Sequence, residues 1–532
     1  MANMPKYSRR DFLRQTTVTL AVAALAAASR SGQSTAADTR IAKSFIDASG
    51  EELVLGGKPL SWWVGTLGLP FHVSYAPDIR ANLLAFKDVF ARLYPKGEVR
   101  YAGKASTHPA VFRIAAEAGV GIDVASPYEA RAALEAGVPP RQLDVNGNAK
   151  DDGLLNLAIG NDMLIIADSV GEVERIAELA KDHANRPRVM LRVTGFDLEG
   201  VTSSAIFTAG EWSKFGILLA DIPPLLARLD QMPITVLGFH THIGSQINDL
   251  NAYRLVLGKL IELGAMLKSA GHDFEAVNIG GGFPVSYVSE EEWEQILRRI
   301  RDGFIAAKDG DRSKIYLWNN APGDFVMGPD GLPTTEWKGE LFTARYPKEK
   351  MLEALLMSEI AVGGRTVKAI DALAEAGTPT LLVEPGRSIV SDSGATFARV
   401  AYDKVVAGAH NLISLDLGVV NYCEAIVALP ARHWALATAP NRRDAEPFET
   451  FICGNLCFSA DMLSRLKVAF ARRPVRGDLV MIASTGAYNP TFFASNANSF
   501  PRPARILLEA DGTFTYLKRA DTYEDIFSIE RT

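Results

Sequence analysis

Lys104 is the first residue in this sequence whose type and surroundings suggest a nucleophile. It lies in the segment YAGKAS, between small residues at the end of a short run with strand propensity. Partial burial at a strand end lowers the pKa of a lysine amine, and such an amine can form a Schiff base with a carbonyl compound. The alternative is a solvated lysine after an edge strand, so the interpretation depends on the polar residues that lie near Lys104.

Further polar residues and glycines follow other short runs with strand propensity. In chain order these residues are Asp123, Ser126, Asn146, Asp168, Arg192, His240, His242, Ser245, Gly280, Gly281, Gly282, Glu384 and Arg387. The three glycines would let backbone N–H groups approach an anion, and Arg387 could bind two phosphate oxygens at once. Together with Ser245 they predict a phosphate site, although a tight turn is the alternative for three consecutive glycines.

The elements that carry these residues alternate between strands and helices. Runs with strand propensity begin at residues 99, 121, 143, 164, 188, 235, 276 and 379, and helical periodicity lies between them. This alternation predicts an α/β domain over residues 99–390 that forms a (β/α)8 TIM barrel. Such barrels carry their chemistry at the carboxyl ends of the strands, so the polar residues are expected to meet in one mouth. A doubly wound open sheet is the alternative.

One long interval interrupts the barrel pattern. Between the seventh and eighth runs, residues 309–350 are rich in turn-forming sequences such as DGDRSK and GPDGLP. We interpret this segment as an insertion. Its role could be that of a lid or substrate loop, or that of a surface elaboration or dimer contact.

The segments on both sides of the barrel have a different character. Residues 38–98 are expected to form an N-terminal lead-in that partly joins the β domain, with a strand over residues 70–74 and a helix over residues 77–94. Over residues 391–532 strand propensity dominates, which predicts a C-terminal all-β domain, a β-barrel or sandwich. Its expected strands cover residues 398–406, 412–417, 424–429, 449–453, 478–483, 504–508 and 513–517.

A Schiff-base lysine and a phosphate site in one barrel mouth predict pyridoxal 5'-phosphate as the cofactor. Glu384 would lie beside the pyridine nitrogen and favour its protonated form, because opposite charges stabilise each other at short range. His242 could lie flat against the ring, or it could be a buried histidine that is hydrogen-bonded within the barrel. His240 is predicted to be structural.

The first residues of the chain predict an export signal. The sequence SRRDFL, which begins at Ser8, precedes an apolar run over residues 18–28 that is too short to span a bilayer. Small residues at positions 34–37 offer cleavage sites, so residues 1–37 are predicted to be a twin-arginine signal peptide. An amphipathic first helix is the alternative. The signal predicts a periplasmic or otherwise exported protein without stable membrane insertion after cleavage.

Composition favours small-molecule chemistry. The chain has 532 residues, 48% of them hydrophobic, which is enough for a large core and more than one domain. A formal charge of −6 leaves no basic surplus for nucleic acid or a membrane surface. The three cysteines are too few for a disulfide framework, although Cys453 and Cys457 could pair. No companion ligands lie at zinc-like spacing, so no metal site is predicted.

These motifs resemble the fold type III pyridoxal-phosphate-dependent decarboxylases, which include diaminopimelate, ornithine and biosynthetic arginine decarboxylases. The resemblance covers roughly residues 65–510. YAGKAS is similar to the segment with the cofactor lysine, and HIGSQ to the segment that stacks a histidine on the ring and gives a serine to phosphate. NIGGGFPVSY and EPGRS are similar to the glycine cradle and to the segment with the pyridine-nitrogen carboxylate. The resemblance therefore implies cofactor-binding roles for Lys104, His242, Ser245, Gly280, Gly281, Gly282, Glu384 and Arg387.

The C-terminal motifs extend the resemblance. GNLCFSAD, residues 454–461, is similar to the segment whose cysteine enters the partner subunit's site, which implies a catalytic Cys457 and a homodimer with shared active sites. GDLVMIASTGAY resembles the stretch whose tyrosine reaches the phosphate, which implies Tyr488. A small buried residue or a disulfide with Cys453 is the alternative for Cys457.

The residue after this cysteine bears on the substrate. In relatives that act on basic amino acids it is acidic and meets the distal charge, whereas here it is Phe458. A phenyl ring offers an ammonium group only a cation–π contact. We therefore expect a substrate that is not a basic diamino acid, with an uncharged or apolar side chain.

The resemblance implies an amino-acid decarboxylase, a carboxy-lyase of amino-acid metabolism. Glu384 would keep the cofactor ring protonated, His242 would stack on it, and Cys457 or Lys104 would return a proton to Cα. Two alternatives stay open. A pyridoxal-phosphate-dependent racemase shares the barrel and cofactor, although racemases place an arginine at the pyridine nitrogen. An exported protein could also bind the cofactor or an amino acid without turnover.

Overall fold

Eight parallel strands close into a barrel, which confirms the predicted α/β barrel and excludes the doubly wound open sheet. The computed structural model describes residues 43–198 and 208–528, so the predicted signal peptide lies outside the described residues. Each barrel strand pairs with the next in the chain, and the eighth pairs with the first at Leu381 and Gly97. Barrel strands 1 to 8 are Gly97–Ala102, Gly121–Val124, Leu143–Val145, Leu164–Ala167, Arg188–Thr194, Thr235–His240, Ala276–Asn278 and Thr380–Val383.

The barrel strands are almost continuously hydrophobic because both of their faces are buried. Leu164, Ile166 and Met190 point into the barrel and pack there with side chains from strands 6, 7 and 8. Helices cover the outer face. The helices of the barrel domain are Ala76–Leu93, Pro109–Glu117, Pro127–Glu135, Asp152–Gly160, Val170–Leu179, Ile222–Leu226, Leu250–Ser269, Glu290–Lys308, Glu349–Met357, Ala369–Glu375 and Arg387–Val390.

Residues 309–350 pack between the barrel and the β domain. Within this segment the strands Phe325–Met327 and Pro333–Trp337 form a hairpin, whose aromatic side chains join a cluster with Trp293 and the β-domain residue Leu466. The end of the segment reaches the barrel mouth, where the Gln246 Nε2 atom donates a hydrogen bond to the carbonyl of Leu341 at 3.2 Å. The segment therefore braces the two domains and the loop after barrel strand 6.

A second large sheet forms the β domain. Its central strand, Gly394–Val406, pairs with the strand Phe71–Tyr75, which precedes the barrel in the chain. The N-terminal segment thus supplies one strand of the C-terminal sheet, and its short strands Ile46–Asp47, Val54–Leu55 and Lys58–Pro59 pack nearby. The other strands of this sheet are His410–Leu415, Trp434–Leu436, Phe448–Cys453, Met462–Phe470, Leu479–Ala483, Ala504–Leu508 and Phe514–Lys518.

The strand predicted over residues 424–429 is wrong. The structure has a short helix there, Glu424–Val427, because the buried Glu424 carboxylate is held by ion pairs with Arg387 and Arg432. These tertiary contacts override the strand propensity of the local sequence. The strands Trp434–Leu436 and Met462–Phe470 were not expected from the sequence.

The remaining helices are short and lie outside the barrel. They are Leu60–Leu67 and Tyr523–Phe527. Across the described ranges, no helix combines the length and apolar character needed to cross a membrane.

Candidate active site

The barrel mouth brings most of the predicted site residues into one cavity at the carboxyl ends of the strands. The cavity is lined by Lys104, Asp123, His242, Ser245, Gly282, Glu384, Arg387 and Tyr488, among others. These residues come from barrel strands 1, 2, 6, 7 and 8 and from the β domain. The barrel topology is therefore what gathers side chains that are far apart in sequence.

Lys104 follows barrel strand 1 in a single 3-10 turn, Gly103–Ala105, and its side chain projects into the cavity. The turn is held from the β domain, because the backbone N–H of Tyr488 donates a hydrogen bond to the Ala105 carbonyl at 2.8 Å. Burial alone would lower the pKa of the Lys104 amine, but attraction by Asp123, Tyr488 and Glu384 outweighs it and raises this pKa. The lowered pKa expected from the sequence is therefore wrong, since these acidic groups surround the amine.

Two buried carboxyl groups in the mouth differ in how readily they ionise. Glu384 accepts hydrogen bonds from Asn278 Nδ2 at 2.8 Å and from His240 Nε2 at 3.2 Å. Burial opposes ionisation of Glu384, but His240 and the cationic Lys104 lower its pKa below the usual range. The pKa of Asp123 is raised well above its usual value by burial and by the negative charge of Glu384. Ionisation is thus strongly favoured at Glu384 and disfavoured at Asp123.

The two histidines of barrel strand 6 and its following loop have different tasks. Burial lowers the pKa of His240, so its neutral ring donates to Glu384 and positions that carboxylate. His242 lines the cavity, and its Nδ1 atom accepts a hydrogen bond from the backbone N–H of Gly281 at 3.0 Å. This bond places the ring proton on Nε2. Burial and the charges of Lys104 and Arg192 lower the pKa of His242 well below the usual value, so the ring stays neutral.

The three glycines after barrel strand 7 are needed mainly for close packing. Gly280 has φ +66°, and a Cβ atom there would lie 2.5 Å from the Thr241 carbonyl oxygen. Its N–H donates to Asn278 Oδ1 at 2.8 Å, while the Gly281 N–H donates to His242. Two of the three backbone amides that were predicted to bind an anion therefore already donate hydrogen bonds within the protein. Gly282, with φ +87°, has the one amide of the three that donates no hydrogen bond within the described residues, so this amide is left for a ligand.

Arg387 is anchored more firmly than the sequence suggested. Its Nε and Nη2 atoms each lie 3.3 Å from Ser245 Oγ, and the Tyr488 ring lies 5.1 Å from the guanidinium carbon. The Nη1 atom donates to Tyr287 Oη at 2.8 Å and pairs with Glu424. Arg387 therefore presents its Nε and Nη2 edge, beside Ser245, to the cavity. Because Nη1 pairs with Glu424, fewer guanidinium N–H groups remain for the predicted contact with two phosphate oxygens.

Several residues that shape the site were missed in the sequence. Asn278 and Tyr287 lie inside the segment NIGGGFPVSY, and Asn278 could have been indicated as a polar residue at the carboxyl end of the buried barrel strand 7. No local sequence pattern indicated Glu424 and Arg432, because their ion pair forms only through the tertiary fold.

The polar residues at the ends of barrel strands 2 to 5 mostly support the site from outside the cavity. Arg192 lies 3.5 Å from Asp168 Oδ1 and 3.4 Å from Asn146 Oδ1, and its guanidinium stacks on Phe215. Ser126 caps a helix instead, since its Oγ atom accepts a hydrogen bond from the Glu129 N–H at 3.1 Å. These residues fix the electrostatics of the mouth without lining it.

Cys457 does not lie in the cavity of its own chain. It is an exposed free thiol on a loop of the β domain, where its backbone N–H donates to Asn498 Oδ1 at 2.9 Å. Cys453 is also unpaired, so the alternative disulfide is absent from this structure. The neighbouring Phe458 is 57% exposed.

The side chains in the mouth fit pyridoxal 5'-phosphate. Lys104 offers an amine to an aldehyde, and Glu384 offers a negative charge to a protonated ring nitrogen. Ser245, the Gly282 amide, Arg387 and Tyr488 form a separate group of hydrogen-bond donors that suits a phosphate. The mouth thus provides hydrogen-bond donors for the phosphate of this cofactor and the Glu384 carboxylate for its ring nitrogen.

Comparison with known proteins gives a consistent result. A family model described as "Pyridoxal-dependent decarboxylase, pyridoxal binding domain" matches residues 77–318. A diaminopimelate decarboxylase from Bacillus subtilis is 28% identical over 483 residues, which cover 90% of this chain and 95% of that protein. A diaminopimelate decarboxylase from Methanothermobacter thermautotrophicus is 27% identical and covers 89% of this chain and 94% of its own length.

Solved structures show the same fold. A diaminopimelate decarboxylase from M. jannaschii in complex with L-lysine matches with a TM-score of 0.71 and 21% identity, over 92% of this chain and 98% of that chain. A lysine/ornithine decarboxylase from Vibrio vulnificus matches with a TM-score of 0.60 and 18% identity, over 84% of this chain and 97% of that chain.

Proposed function

We propose that this chain is a fold type III pyridoxal-phosphate-dependent decarboxylase, a carboxy-lyase that removes the α-carboxyl group of an amino acid in the mouth around Lys104. The observation that carries this proposal is the shared cavity of Lys104, the ionised Glu384 and the group of phosphate donors. When bound, pyridoxal 5'-phosphate supplies an electron sink for the charge that loss of CO2 leaves on Cα.

The protein's own groups would bind, orient and hold protons. Lys104 would hold the cofactor covalently, and Ser245, Gly282, Arg387 and Tyr488 would bind its phosphate. Glu384, kept ionised by Asn278 and His240, would hold a proton at the ring nitrogen. The neutral His242 would cover one face of the ring without adding charge. Because Glu384 favours a protonated ring, it supports decarboxylation over racemisation.

The identity of the substrate depends on the group at the end of its side chain, away from the reacting Cα. The names of the relatives put diaminopimelate first among the candidates, which conflicts with our expectation that the substrate is not a basic diamino acid. That expectation rested on Phe458, which cannot form an ion pair with a distal ammonium group. Diaminopimelate also carries a second carboxylate, however, and another side chain could bind it. We therefore retain it as a candidate substrate.

A homodimer and export are part of the same proposal. Cys457 is exposed and lies outside the cavity of its own chain, which supports a role in the active site of a partner subunit. The exposed side chains of Phe458 and Phe492 supply apolar area for the interface between the two subunits. Sedimentation analysis of the purified protein should give a dimer, and a monomer with full activity would rule out shared sites. Fractionation of cells that express the wild type or an Arg9→Lys/Arg10→Lys variant tests export, since the variant should remain in the cytoplasm.

The experiment that tests the function is a substrate panel. The holoenzyme is incubated with each common amino acid and with diaminopimelate, and CO2 release and the chirality of the remaining amino acid are measured together. The proposal predicts stoichiometric CO2 and amine from at least one compound. Inverted chirality without CO2 would identify a racemase, and cofactor binding without either product would identify a binding protein.

A further inference from the structure

Two carboxyl groups lie side by side on the inner face of the barrel. Asp123 of barrel strand 2 pairs in register with Asp144 of barrel strand 3, and register partners on parallel strands, about 4.8 Å apart, project from the same face of the sheet. Their sequence neighbours, such as Ile122 and Leu143, pack in the hydrophobic cluster beneath the outer helices. Both aspartates therefore point into the barrel, where Asp123 is 3% exposed and Asp144 is fully buried.

The two carboxyl groups differ in their contacts. Asp144 Oδ1 accepts a hydrogen bond from Arg100 Nε at 2.9 Å, whereas Asp123 lines the cavity at the barrel mouth. Among the described residues, neither Asp144 Oδ2 nor Asp123 Oδ1 has a hydrogen-bond partner, although both oxygens are buried. Two buried carboxyl groups at such close range resist double ionisation, so this arrangement suits a pair that holds one proton.

Arg100 reaches Asp144 across a glycine on the strand between them. Arg100 belongs to barrel strand 1, and its register partner on barrel strand 2 is Gly121. A Cβ atom at Gly121 would lie 2.5 Å from Arg100 Cδ and 2.2 Å from the Gln142 carbonyl oxygen. The missing side chain therefore leaves the passage through which the Arg100 side chain crosses to barrel strand 3.

The position of Arg100 makes the two aspartates unequal. Arg100 is 5% exposed, and its Nη2 atom also pairs with Glu98 Oε2 at 2.7 Å. The Glu98 side chain is 49% exposed, so solvent screens this second ion pair more than the buried one. Arg100 forms no ion pair with Asp123 within the described part of the chain. It therefore favours negative charge on Asp144 and leaves the proton to Asp123.

The titratable groups that act on the two carboxyl groups come from several elements around them. They are Arg100, Glu98, Lys104, Glu129, Arg192 and Glu384. Burial raises the pKa of Asp144 to about 6, although Arg100 opposes the rise. The register neighbour of Asp144 on barrel strand 4 is Leu164, which brings no charge.

Asp123 is the more basic member of the pair. Burial and the negative charge of Glu384 raise its pKa well above the usual value, Lys104 opposes the rise, and Asp144 adds to it. Asp123 is also the first of the charged groups that raise the pKa of Lys104. Asp123 and the Lys104 amine therefore interact across one cavity, and Asp144 acts on the amine through Asp123.

We propose that Asp123 and Asp144 hold one proton between them and that Asp123 exchanges this proton with the Lys104 amine across the barrel mouth. This inference rests on the proposed function, because it assigns the proton donor and acceptor for the same lysine. Asp123 is then a catalytic residue. Asp144 and Arg100 are positioning residues that act by setting the basicity of Asp123.

The proton transfer balances in both directions. When Lys104 is released from the cofactor, the O–H bond of Asp123 breaks and an N–H bond forms at the amine, which leaves a carboxylate and an ammonium group. When Lys104 bonds again, this N–H bond breaks and the O–H bond of Asp123 forms. An ordinary aspartate is too weak a base for an ammonium group, and the neighbouring charge of Asp144 reduces this mismatch.

Infrared spectroscopy of the full-length holoenzyme tests the shared proton without turnover. A protonated carboxyl group has a C=O stretching band that a carboxylate lacks, and the difference between the wild type and Asp123→Asn isolates the band that depends on Asp123. We expect this band to persist above pH 7. In Asp144→Asn, measured against the double variant Asp123→Asn/Asp144→Asn, its titration midpoint should fall by at least about one pH unit, because the neighbouring like charge is lost.

Two further variants separate this effect from a structural one. Asp478→Asn removes a buried carboxylate that pairs with Arg472 in the β domain, and it should leave the midpoint unchanged. Arg100→Lys keeps a positive charge beside Asp144 and should shift the midpoint less than Asp144→Asn does. Absence of the band above pH 7 in the wild type, an equal midpoint in Asp144→Asn, or an equal shift in Asp478→Asn would overturn the proposal.

The rate of cofactor attachment tests the exchange with Lys104. Full-length apoenzyme is mixed with pyridoxal 5'-phosphate, and the visible absorbance of the bound cofactor is followed with time. Asp144→Asn should react at least about threefold more slowly than the wild type at pH 7, because a weaker base removes the ammonium proton less readily. Equal rates would contradict the exchange. If no amino acid releases CO2, the proposed function fails, whereas the infrared band and this rate still test the pair on their own.

Discussion

The Asn278 amide donates a hydrogen bond of 2.8 Å to the Glu384 carboxylate, at the point where barrel strands 7 and 8 end side by side. The same Asn278 side chain accepts the Gly280 N–H, so one residue fixes both the carboxylate and the glycine turn. Glu384 is thereby held in one orientation and in its ionised form. This relationship leads to the first prediction.

Asn278→Ala should lower kcat by about tenfold or more, because the hydrogen bond to a charged acceptor is lost and the pKa of Glu384 rises. KM should change less than kcat if Asn278 acts only through Glu384. Asn156→Ala is the matched control, since Asn156 bonds His183 at 2.8 Å outside the mouth. Equal kcat values for the two variants would show that Asn278 does not position the carboxylate.

Gly281→Ala should abolish retention of the cofactor. A Cβ atom at Gly281 would clash with the carbonyl oxygen of Glu384, so the turn that carries Gly282 and donates a hydrogen bond to His242 must move. Gly171→Ala is the control, because a Cβ atom there meets no atom within 4 Å and the position is helical. Absorbance after gel filtration measures the bound cofactor, and retention by Gly281→Ala equal to that of the control would contradict the packing argument.

Glu424→Gln should destabilise the protein by about 3 kcal/mol, because it leaves the buried Arg387 and Arg432 without their shared counter-charge. The exposed pair Arg131 and Glu135 offers a comparison, and Glu135→Gln should leave the stability nearly unchanged. Urea-induced unfolding measures both. A similar small loss in the two variants would mean that Glu424 does not hold Arg387 in place.

His72 should make stability depend on pH. Burial lowers its pKa from 6.5 to about 3 in the folded protein, while Nδ1 stays within 2.7 Å of Thr396 Oγ1. Between these two values the unfolded chain binds the proton and the folded chain does not, so stability falls as pH falls below about 6.5. Well below pH 6.5 the loss should approach about 1.4 kcal/mol per pH unit.

His72→Gln isolates this contribution, because glutamine does not titrate and can still contact Thr396. Unfolding in urea at pH 7 and pH 5 should show a smaller acid-induced loss for the variant than for the wild type. An identical loss for both proteins would place the pH dependence in other groups.

The barrel was predictable because its signal is local. Parallel strands buried on both faces read as short hydrophobic runs, and the strand Leu164–Ala167 begins at the residue that the sequence indicated. The closeness of Lys104, Glu384 and Arg387 followed from the topology rather than from any one motif, since all three follow strands that end in the same mouth.

The electrostatic details could not be predicted, because they depend on residues that are far apart in sequence. The pKa of Lys104 is raised by Asp123 and Glu384, which no local pattern places beside it. Glu424 was assigned to a strand because its partners Arg387 and Arg432 are tertiary.

The covalent attachment of the cofactor tests the central claim most directly. Holoenzyme is reduced with borohydride, digested and mapped by mass spectrometry, with Lys104→Ala as the parallel sample and Lys150, a buried lysine paired with Glu172, as the internal comparison. The account predicts the added mass of the reduced cofactor on the peptide with Lys104 and none in the variant. Modification of Lys150 or another lysine, or full loading and CO2 release by Lys104→Ala, would contradict it.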